Sequence, residues 1–522
     1  MSSQFRISKQ SLAWLFAAVL PLAAAITDPV RTESGPVSGI QGANPEVRVY
    51  KGIPFAAPPV GDLRWKSPKP VAKWEGVRSA DKFSAVCMQG RGGGNGRGEN
   101  AQRQTSEDCL YVNIYTAAHS PKDKRPVMVW IYGGALTAGA GSIYDGEELA
   151  KKGVVVVTFN YRLGVFGFFA HPELTKESDR NASGNYGLMD QLAALEWVQR
   201  NIAAFGGDVK RVTIFGESAG SWSTNMLMAS PLAHGLFQRV IGESGAEFAR
   251  VRKLADAEQA GVKFGESVGA PSLAALRAKS ADELQAKPGG YQGPDVDGYV
   301  LPEDVYTIFS KGKQNDVPLL LGSNADEGTM FTPESVKGDS FRQTAQRRFG
   351  DHADEYLKLY PFTSDTEARR AQANSMRDQT FGWEMRTWAR METKTGKSKA
   401  YLYYFSKVPP GPNSEWMGAY HSSEIQYVFN NVNGKPSGTG TPRAWTDSDR
   451  KLADLMSSYW VNFATTSDPN GKGLLKWPVY KTKDDLLMHF GNNVEVMAIP
   501  HKEALDFLDE NFERQRKSPD TQ

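Results

Sequence analysis

With 522 residues, of which 40% are hydrophobic and 23% charged, the chain has the composition of a soluble globular protein and enough length to bury a large core. Its 61 Lys and Arg residues balance 59 Asp and Glu residues, which leaves a formal net charge of +2. A charge this close to neutrality argues against a nucleic-acid-binding protein, and it gives no reason to expect attachment to a membrane surface.

The first 25 residues have the pattern of a secretory signal peptide. Basic residues precede an apolar run over residues 11–25, and the small residues Ala23 and Ala25 fit a signal-peptidase site. A membrane anchor is the alternative, but the run is short for a bilayer span. We therefore expect residues 1–25 to be removed and a single domain, residues 26–522, to be secreted or periplasmic.

Short strands are predicted at residues 36–40 and 47–55, and they indicate a small antiparallel sheet at the start of the domain. Further along, Cys87 and Cys109 are the two cysteines of the chain. In an exported protein such a pair is typical of a disulfide, whereas two thiols without nearby histidines are too few for a metal site. Free thiols are the remaining alternative. The bond would close a loop and contribute about 3 kcal/mol.

The middle of the chain alternates apolar strands with helical patterns. Buried strands are predicted at 110–115, 127–132 and 154–160, and a helix at 185–202. Further strands are predicted at 239–242, 318–322 and 401–406. This alternation predicts an α/β fold with a mostly parallel twisted sheet and right-handed crossovers. Two polar, helix-rich segments at 253–315 and 333–397 are interpreted as insertions that cap the carboxyl ends of the strands.

One strand of this series, beginning at Arg211, runs into Gly216-Glu-Ser-Ala-Gly220, and a helical segment follows. This is the setting of a nucleophile elbow, in which Ser218 stands on a sharp strand-to-helix turn. Glycines on either side leave room for the turn, and the amide of Ala219 at the helix start can donate to a developing oxyanion. A plain glycine-rich turn is the alternative.

A nucleophilic serine needs a base, and the base needs an acid that orients it. In this fold type the three follow in the order Ser, acid, His. Asp326 and Glu327 both follow the strand at 318–322, so either could be the acid. His421 lies in the loop after the strand at 401–406 and is the candidate base.

Oxyanion donors are expected from the loop after an early strand. The strand at 127–132 leads into a glycine-rich loop that begins Gly133-Gly-Ala135. The amides of Gly134 and Ala135, together with that of Ala219, could form a hole with three donors.

The chain resembles the type-B carboxylesterases, the family of cholinesterases and bacterial para-nitrobenzyl esterases. The resemblance covers most of the mature chain, and its motifs are Tyr50-Lys-Gly-Ile-Pro-Phe-Ala-Ala-Pro-Pro-Val-Gly61, Ser106-Glu-Asp-Cys-Leu-Tyr-Val-Asn113, Asn160-Tyr-Arg-Leu-Gly164, Phe205-Gly-Gly-Asp208, Phe215-Gly-Glu-Ser-Ala-Gly220, Gly322-Ser-Asn-Ala-Asp-Glu-Gly328 and the His421 loop. It implies an α/β-hydrolase fold, with a small antiparallel N-terminal sheet and helical caps.

The resemblance also implies site residues. Ser218 would be the nucleophile, His421 the base and Glu327, rather than Asp326, the acid. Ser244, in Gly242-Glu-Ser-Gly245, is implied to support the triad. We expect the same of Glu217, the residue before the nucleophile. The resemblance further implies the Cys87–Cys109 bridge and the oxyanion hole of Gly134, Ala135 and Ala219.

Two departures bear on the substrate. Ala135 stands where many relatives have a third glycine, and in related esterases this loop type accompanies acceptance of bulky or tertiary alcohol esters. The loop between Cys87 and Cys109 holds no Trp, which argues against a cation–π site for choline. Pocket-lining residues are expected next to the catalytic ones, and each could equally belong to the core: Leu136, Trp222, Met330 and Phe331. Phe381, Trp383 and Trp388 of the second insertion share this ambiguity, and Asn181 begins a glycosylation sequon.

The sequence thus predicts an exported serine carboxylesterase that needs neither metal nor cofactor and acts on small-molecule esters through an acyl-enzyme. No nucleic-acid or membrane partner is expected after signal cleavage. A specialised esterase for bulky natural-product esters, of the feruloyl or fumonisin-like mycotoxin type, is the alternative. A non-catalytic adhesion module is a third possibility, and retention of the whole triad argues against it.

Overall fold

The computed structural model describes residues 26–90, 104–248, 251–432 and 443–517. The signal peptide predicted over residues 1–25 lies outside these ranges.

The strands, numbered in chain order, are β1 Val30–Arg31, β2 Pro36–Ser38, β3 Ile40–Gln41, β4 Arg48–Pro54, β5 Arg78–Ser79, β6 Val86–Cys87, β7 Thr105–Ser106, β8 Tyr111–Thr116, β9 Arg125–Ile131, β10 Val155–Phe159, β11 Gly207–Glu217, β12 Arg239–Glu243, β13 Arg252–Lys253, β14 Asp295–Val296, β15 Leu319–Asn324, β16 Ala400–Phe405, β17 Leu486–Phe490 and β18 Val494–Ala498.

The α-helices are α1 Glu147–Lys151, α2 Gly164–Gly167, α3 Pro172–Glu177, α4 Tyr186–Asn201, α5 Ala219–Ala229, α6 Leu254–Ser267, α7 Leu273–Ala278, α8 Ala281–Gln285, α9 Val305–Ser310, α10 Gly338–Phe349, α11 Ala353–Leu359, α12 Asp365–Met376, α13 Trp383–Thr395, α14 Ser414–Met417, α15 Ile425–Val428, α16 Asp447–Thr466 and α17 Lys502–Lys517. A π-helical segment, Arg377–Gly382, joins α12 to α13.

Eleven strands form one large sheet in the order β18-β17-β16-β15-β12-β11-β9-β10-β8-β4-β3. The strands from β17 to β10 pair in parallel, whereas β18 at one edge and β8, β4 and β3 at the other pair antiparallel. Every residue of β10 is buried, as are all residues of β9 but the first. The mostly parallel sheet is therefore confirmed, and its continuous apolar strands are those covered on both faces.

A small separate sheet at the start of the domain is also confirmed, but its composition differs from the prediction. It contains β1, β2 and β5, and the pairing of β2 with β5 is parallel. The second predicted strand became β4, which joins the edge of the large sheet through β8 instead. The partners of β2 and β4 depend on which distant strand has unpaired backbone groups. The local sequence pattern carries no information about these partners.

The two predicted insertions are helical, with α6 to α9 in the first and α10 to α13 in the second. Strands β17 and β18 were not predicted. Strand β18 is an edge strand with mostly exposed residues, so it lacks the continuous apolar run that marked the central strands.

The expected disulfide joins Cys87 to Cys109, with their Cα atoms 5.0 Å apart. Both residues are buried, and the bond closes a loop of sequence separation 22. Of the helices in the described ranges, none is long and apolar enough to cross a bilayer.

Candidate active site

Ser218 occupies the sharp turn between the end of β11 and the start of α5. Its backbone has φ 57° and ψ −125°, a conformation that non-glycine residues rarely adopt. A Cβ on Gly216 would lie 2.6 Å from the carbonyl oxygen of Ile131, and a Cβ on Gly220 would overlap the same atom. Glycine is therefore required at both positions, because β9 runs directly against the turn.

His421 and Glu327 come from loops that follow neighbouring parallel strands, β16 and β15. His421 Nδ1 lies 2.6 Å from Glu327 Oε2. The other carboxylate oxygen, Oε1, accepts hydrogen bonds from Ser244 Oγ at 2.5 Å and from the amide of Asn324 at 2.7 Å. Glu327 is fully buried, so these donors hold its carboxylate in one orientation toward the imidazole.

Asp326, the other candidate acid, faces away from the imidazole. Its Oδ2 accepts a hydrogen bond from the amide of Ala419 at 2.9 Å, and its Oδ1 lies 3.4 Å from Arg370 Nη1. Of the two adjacent carboxylates that the sequence offered, Glu327 is the one in contact with His421.

The second imidazole nitrogen has an unexpected neighbour. His421 Nε2 lies 3.1 Å from Glu217 Oε1, and the hydroxyl of Ser218 makes no hydrogen bond within the described residues. Burial raises the pKa of Glu217 well above its usual value, and the nearby charges of Glu327 and Glu243 raise it further. The two atoms are in contact, but Glu217 Oε1 makes no hydrogen bond within the described residues.

Further buried carboxyls lie behind this pair. Burial raises the pKa of Glu243 to about 8, although Trp460 Nε1 donates to its Oε1 at 2.7 Å. Burial raises the pKa of Glu424 well above its usual value, and the charges of Glu217, Glu327 and Glu243 act in the same direction. Burial thus favours the neutral form of each of these carboxyls around the His421–Glu327 pair.

The loop after β9 presents two backbone amides. Gly134 and Ala135 both have positive φ, 104° and 55°, and in the described residues neither amide donates a hydrogen bond. Ala219, the first residue of α5, follows Ser218 directly, and an amide at a helix start has no partner within the helix. All three donors are thus available for an oxyanion near Ser218.

A cavity of about 420 Å³ joins these groups. Of the residues singled out in the sequence, those that line it are Gly134, Ala135, Glu217, Ser218, Trp222, Met330, Phe331, Phe381 and His421. Leu136 does not: it is fully buried and outside the lining, because the loop turns its side chain into the core. Trp388 is likewise a core residue, and Trp383 packs against Phe512 of α17.

Part of the cavity wall had no signal in the sequence. Tyr144 and Ile143 follow the glycine-rich loop, and Ile425, Gln426, Phe429 and Asn431 come from the segment after His421. These residues lie near Ser218 because of the order of strands in the sheet. In the sequence, only their closeness to the glycine-rich loop and to His421 could have suggested them. The wall is mostly aromatic and aliphatic, with a few polar side chains.

Two aromatic rings cover the imidazole. Phe331 and Phe381 lie 5.2 Å and 4.6 Å from His421, measured between ring centroids, and 6.1 Å from each other. Phe381 belongs to the π-helical segment of the second insertion, so that insertion does reach the site. No group of three or more His, Cys, Asp or Glu side chains that could hold a metal ion is present in the described part of the chain.

The chain is similar to known proteins over most of its length. Residues 27–508 match the model of the Carboxylesterase family. The chain is 40% identical to "Fumonisin B1 esterase" of Sphingopyxis macrogoltabida, with 93% of this chain and 91% of that protein covered. It is 37% identical to "Para-nitrobenzyl esterase" of Bacillus subtilis, covering 88% and 94% respectively. A solved structure titled "PNB esterase" superimposes with a TM-score of 0.78 at 33% identity, over 92% of this chain and 99% of the other.

Taken with the elbow, the cavity and the parallel sheet, these matches show that the chain belongs to the Carboxylesterase family and is a carboxylic ester hydrolase of the α/β-hydrolase fold that acts on small-molecule esters.

Proposed function

We propose that the protein hydrolyses carboxylic esters through an acyl-enzyme on Ser218, with His421 as general base and Glu327 as its orienting acid. The observation that carries this proposal is the placement of the strained Ser218 turn and His421 on one cavity wall, with His421 Nδ1 2.6 Å from the buried Glu327.

In the first half-reaction, Ser218 Oγ attacks the ester carbonyl while His421 Nε2 takes the hydroxyl proton. Glu327 stabilises the imidazolium through Nδ1–H. The tetrahedral oxyanion accepts hydrogen bonds from the amides of Gly134, Ala135 and Ala219, each worth about 3 kcal/mol of transition-state stabilisation. The bond to the alcohol oxygen then breaks, and His421 gives its proton to the leaving alcohol.

In the second half-reaction, water replaces the alcohol. His421 takes a proton from water, which attacks the acyl carbonyl, and the collapse of the intermediate returns the proton to Ser218 Oγ and releases the acid.

Glu217 has a place in this cycle. Before attack, Nε2 must exchange its contact with Glu217 for one with the Ser218 hydroxyl, while the bond from Nδ1 to Glu327 serves as the pivot. Burial raises the pKa of Glu217 and so favours its neutral form, which can release Nε2 without leaving a buried charge unpaired. We propose that Glu217 holds the imidazole between turnovers and that Ser244 fixes the Glu327 carboxylate throughout.

The cavity wall favours neutral esters with an apolar part. Its aromatic residues include Trp222, Phe331 and Phe381, and about 420 Å³ is enough for a drug-sized molecule. Esters of bulky alcohols are supported by the Gly133-Gly-Ala135 loop, since in related esterases this loop type accompanies their acceptance. A second candidate, an esterase specialised for bulky natural-product esters, is favoured by the similarity to a protein named "Fumonisin B1 esterase". Hydrolysis rates over a panel of esters that differ in acyl length and alcohol size distinguish a general esterase from a specialised one. A specialised esterase prefers a bulky ester by orders of magnitude.

We further propose that the mature domain, residues 26–522, is exported. The signal-like pattern of residues 1–25 and the disulfide between Cys87 and Cys109 support this, because disulfides persist in oxidising compartments. Expression with the native leader, followed by N-terminal sequencing of the exported form, tests it. A mature N-terminus at Ile26 is expected, and retention of the full leader inside the cell would contradict it.

Ser218→Ala is the direct test of the mechanism. The variant should keep the thermal unfolding midpoint of the parent and lose at least about 10⁴-fold in kcat for para-nitrophenyl butyrate. A fluorophosphonate probe should label the parent and not the variant. Ser223→Ala, which removes a hydroxyl one turn further along α5, is the matched control and should keep its activity and its label. Full activity in Ser218→Ala would overturn the assignment.

A further inference from the structure

We propose that Asp326, the carboxylate next to the catalytic acid, is a positioning residue that holds the His421 loop in register with Glu327, and that Arg370 of α12 connects this hold to the cap. The inference rests on the proposed function, because it assigns a role to the placement of its base.

Asp326 contacts the His421 loop through both its backbone and its side chain. The amide of Asp326 donates to the carbonyl of Ala419 at 3.0 Å, and the amide of Ala419 donates back to Asp326 Oδ2 at 2.9 Å. Asp326, which is adjacent to Glu327, thus both donates to and accepts from the backbone of Ala419, two residues before His421. The separation of acid and base is therefore set by a closed ring of hydrogen bonds.

The neighbouring glycine shows how close this contact is. Gly418 has φ 60°, and a Cβ at this position would overlap the carboxylate of Asp326. Only glycine lets the loop approach the carboxylate at this backbone conformation.

A second pair of hydrogen bonds ties the same two segments together. Thr329 Oγ1 donates to the carbonyl of Met417 at 2.9 Å, and Trp416 Nε1 donates to the carbonyl of Thr329 at 3.3 Å. The turn that carries Glu327 therefore contacts the His421 loop at several points. Asn324, at the end of β15, adds a bond from its Nδ2 to the carbonyl of Tyr420 at 3.0 Å.

Arg370 extends the hold into the second insertion. Its Nη1 lies 3.4 Å from Asp326 Oδ1, and its Nη2 donates to the carbonyl of Trp416 at 3.1 Å. The guanidinium also lies over the Trp416 ring, 4.3 Å from the ring centroid. Helix α12 ends at Met376, which lines the catalytic cavity. The same helix therefore contributes to the cavity wall and, through Arg370, contacts Asp326.

Fixing the His421 loop in this way matters because catalysis is sensitive to small displacements of the reacting groups. A shift of about 1 Å in a catalytic group can cost about 10²-fold in rate. His421 lies in the irregular segment between β16 and α15, where only the short α14 supplies regular structure. Without the ring of hydrogen bonds to Asp326, the base loop would sample positions in which Nδ1 is out of reach of Glu327.

The test compares four variants by steady-state kinetics with para-nitrophenyl butyrate. Asp326→Ala removes the acceptor for the Ala419 amide, whereas Asp326→Asn keeps an acceptor oxygen and removes the charge. Arg370→Gln breaks the link to α12. Arg369→Gln is the matched control, because Arg369 lies over the same Trp416 ring, 3.5 Å from its centroid, and has no contact with Asp326.

Asp326→Ala should lower kcat by about 10- to 100-fold with KM changed by less than about 3-fold. Asp326→Asn should recover to within about 3-fold of the parent, because the contribution of a partly exposed ion pair is small. Arg370→Gln should lower kcat by about 3- to 10-fold, because it also removes the charged hydrogen bond from Nη2 to the carbonyl of Trp416. Arg369→Gln should lower kcat by less than about 2-fold. Thermal unfolding and far-UV circular dichroism identify any variant that fails to fold. If Asp326→Ala fails to fold, the kcat values of Asp326→Asn and Arg370→Gln are compared instead.

Three results would overturn the proposal: unchanged kcat in a folded Asp326→Ala, an Asp326→Asn variant as impaired as Asp326→Ala, or equal effects of the two arginine variants. Ser218→Ala separates this failure from that of the proposed function. If Ser218→Ala is inactive and Asp326→Ala is not impaired, only the positioning role is wrong.

Discussion

Replacing Glu327 by glutamine gives the sharpest prediction, because the surrounding donors dictate how the new amide must lie. Glu327 Oε1 accepts from the amide of Asn324, and a backbone amide can only donate. The glutamine must therefore keep its carbonyl oxygen on that side and turn its NH₂ group toward His421 Nδ1. A donor at that position forces Nδ1 to act as the acceptor, so the ring proton moves to Nε2.

With its proton on Nε2, His421 cannot take the proton of Ser218. Holding the catalytic histidine in the wrong tautomer costs about 10⁴-fold in kcat in enzymes with this arrangement. At about 1.4 kcal/mol for each factor of ten, the expected loss is roughly 5 kcal/mol of transition-state stabilisation. KM should change little, because the substrate does not contact Glu327, which is fully buried.

The assay is kcat and KM for para-nitrophenyl butyrate, together with ¹⁵N NMR of histidine-labelled protein to identify the ring tautomer. Glu243→Gln is the matched control: Glu243 is also fully buried, but it contacts Trp460 rather than His421, and a glutamine oxygen can still accept that bond. A folded Glu327→Gln variant within about 10-fold of the parent would refute the reasoning, as would an equal loss in Glu243→Gln.

Three further predictions concern the fold. Replacing Cys87 and Cys109 together by alanine should lower the free energy of unfolding by about 3 kcal/mol in urea titrations, because the loop they close has a sequence separation of 22; a loss below about 1 kcal/mol would contradict this. Gly220→Ala should abolish activity and lower the unfolding midpoint, since the new Cβ overlaps a carbonyl of β9; a fully active variant would show that the elbow has room to spare. Burial first, and then Asp316, raise the pKa of Glu392 to about 9, so the folded state keeps a proton that the unfolded chain releases between about pH 4.5 and 9. Stability should therefore fall as pH rises through this window, and Glu392→Gln, which cannot ionise, should gain at least about 1 kcal/mol over the parent between pH 5 and pH 9; a pH-independent difference would contradict it.

The central strands and the elbow could be predicted because each is encoded locally. Continuous apolar runs predict strands covered on both faces, and β9, β10, β15 and β16 begin and end within a few residues of their predicted bounds. The disulfide likewise followed from the predicted export of the chain and from its two cysteines. By contrast, β18 was not predicted, because an exposed edge strand carries no comparable apolar signal.

The choice between Asp326 and Glu327 shows where local pattern ends. Both carboxylates follow the same strand, and the residues alone allowed either as the acid. One residue of difference in the chain reverses the direction of the side chain, so Glu327 meets His421 and Asp326 meets the Ala419 amide. Leu136 is a second example. Its position next to Ala135 in the chain suggested that it lines the cavity, but the turn of the loop places its side chain in the core.

By itself the sequence determined the mostly parallel sheet and the sharp turn at Ser218, because each is marked by short stretches of residues adjacent in the chain. Only the tertiary structure decided that His421 Nε2 faces Glu217, that Phe381 of the cap covers the imidazole, and that Asp326 accepts from the Ala419 amide. These contacts join segments from 40 to more than 200 residues apart. They are set by the order of strands in the sheet and by packing of the cap against it, which no local pattern encodes.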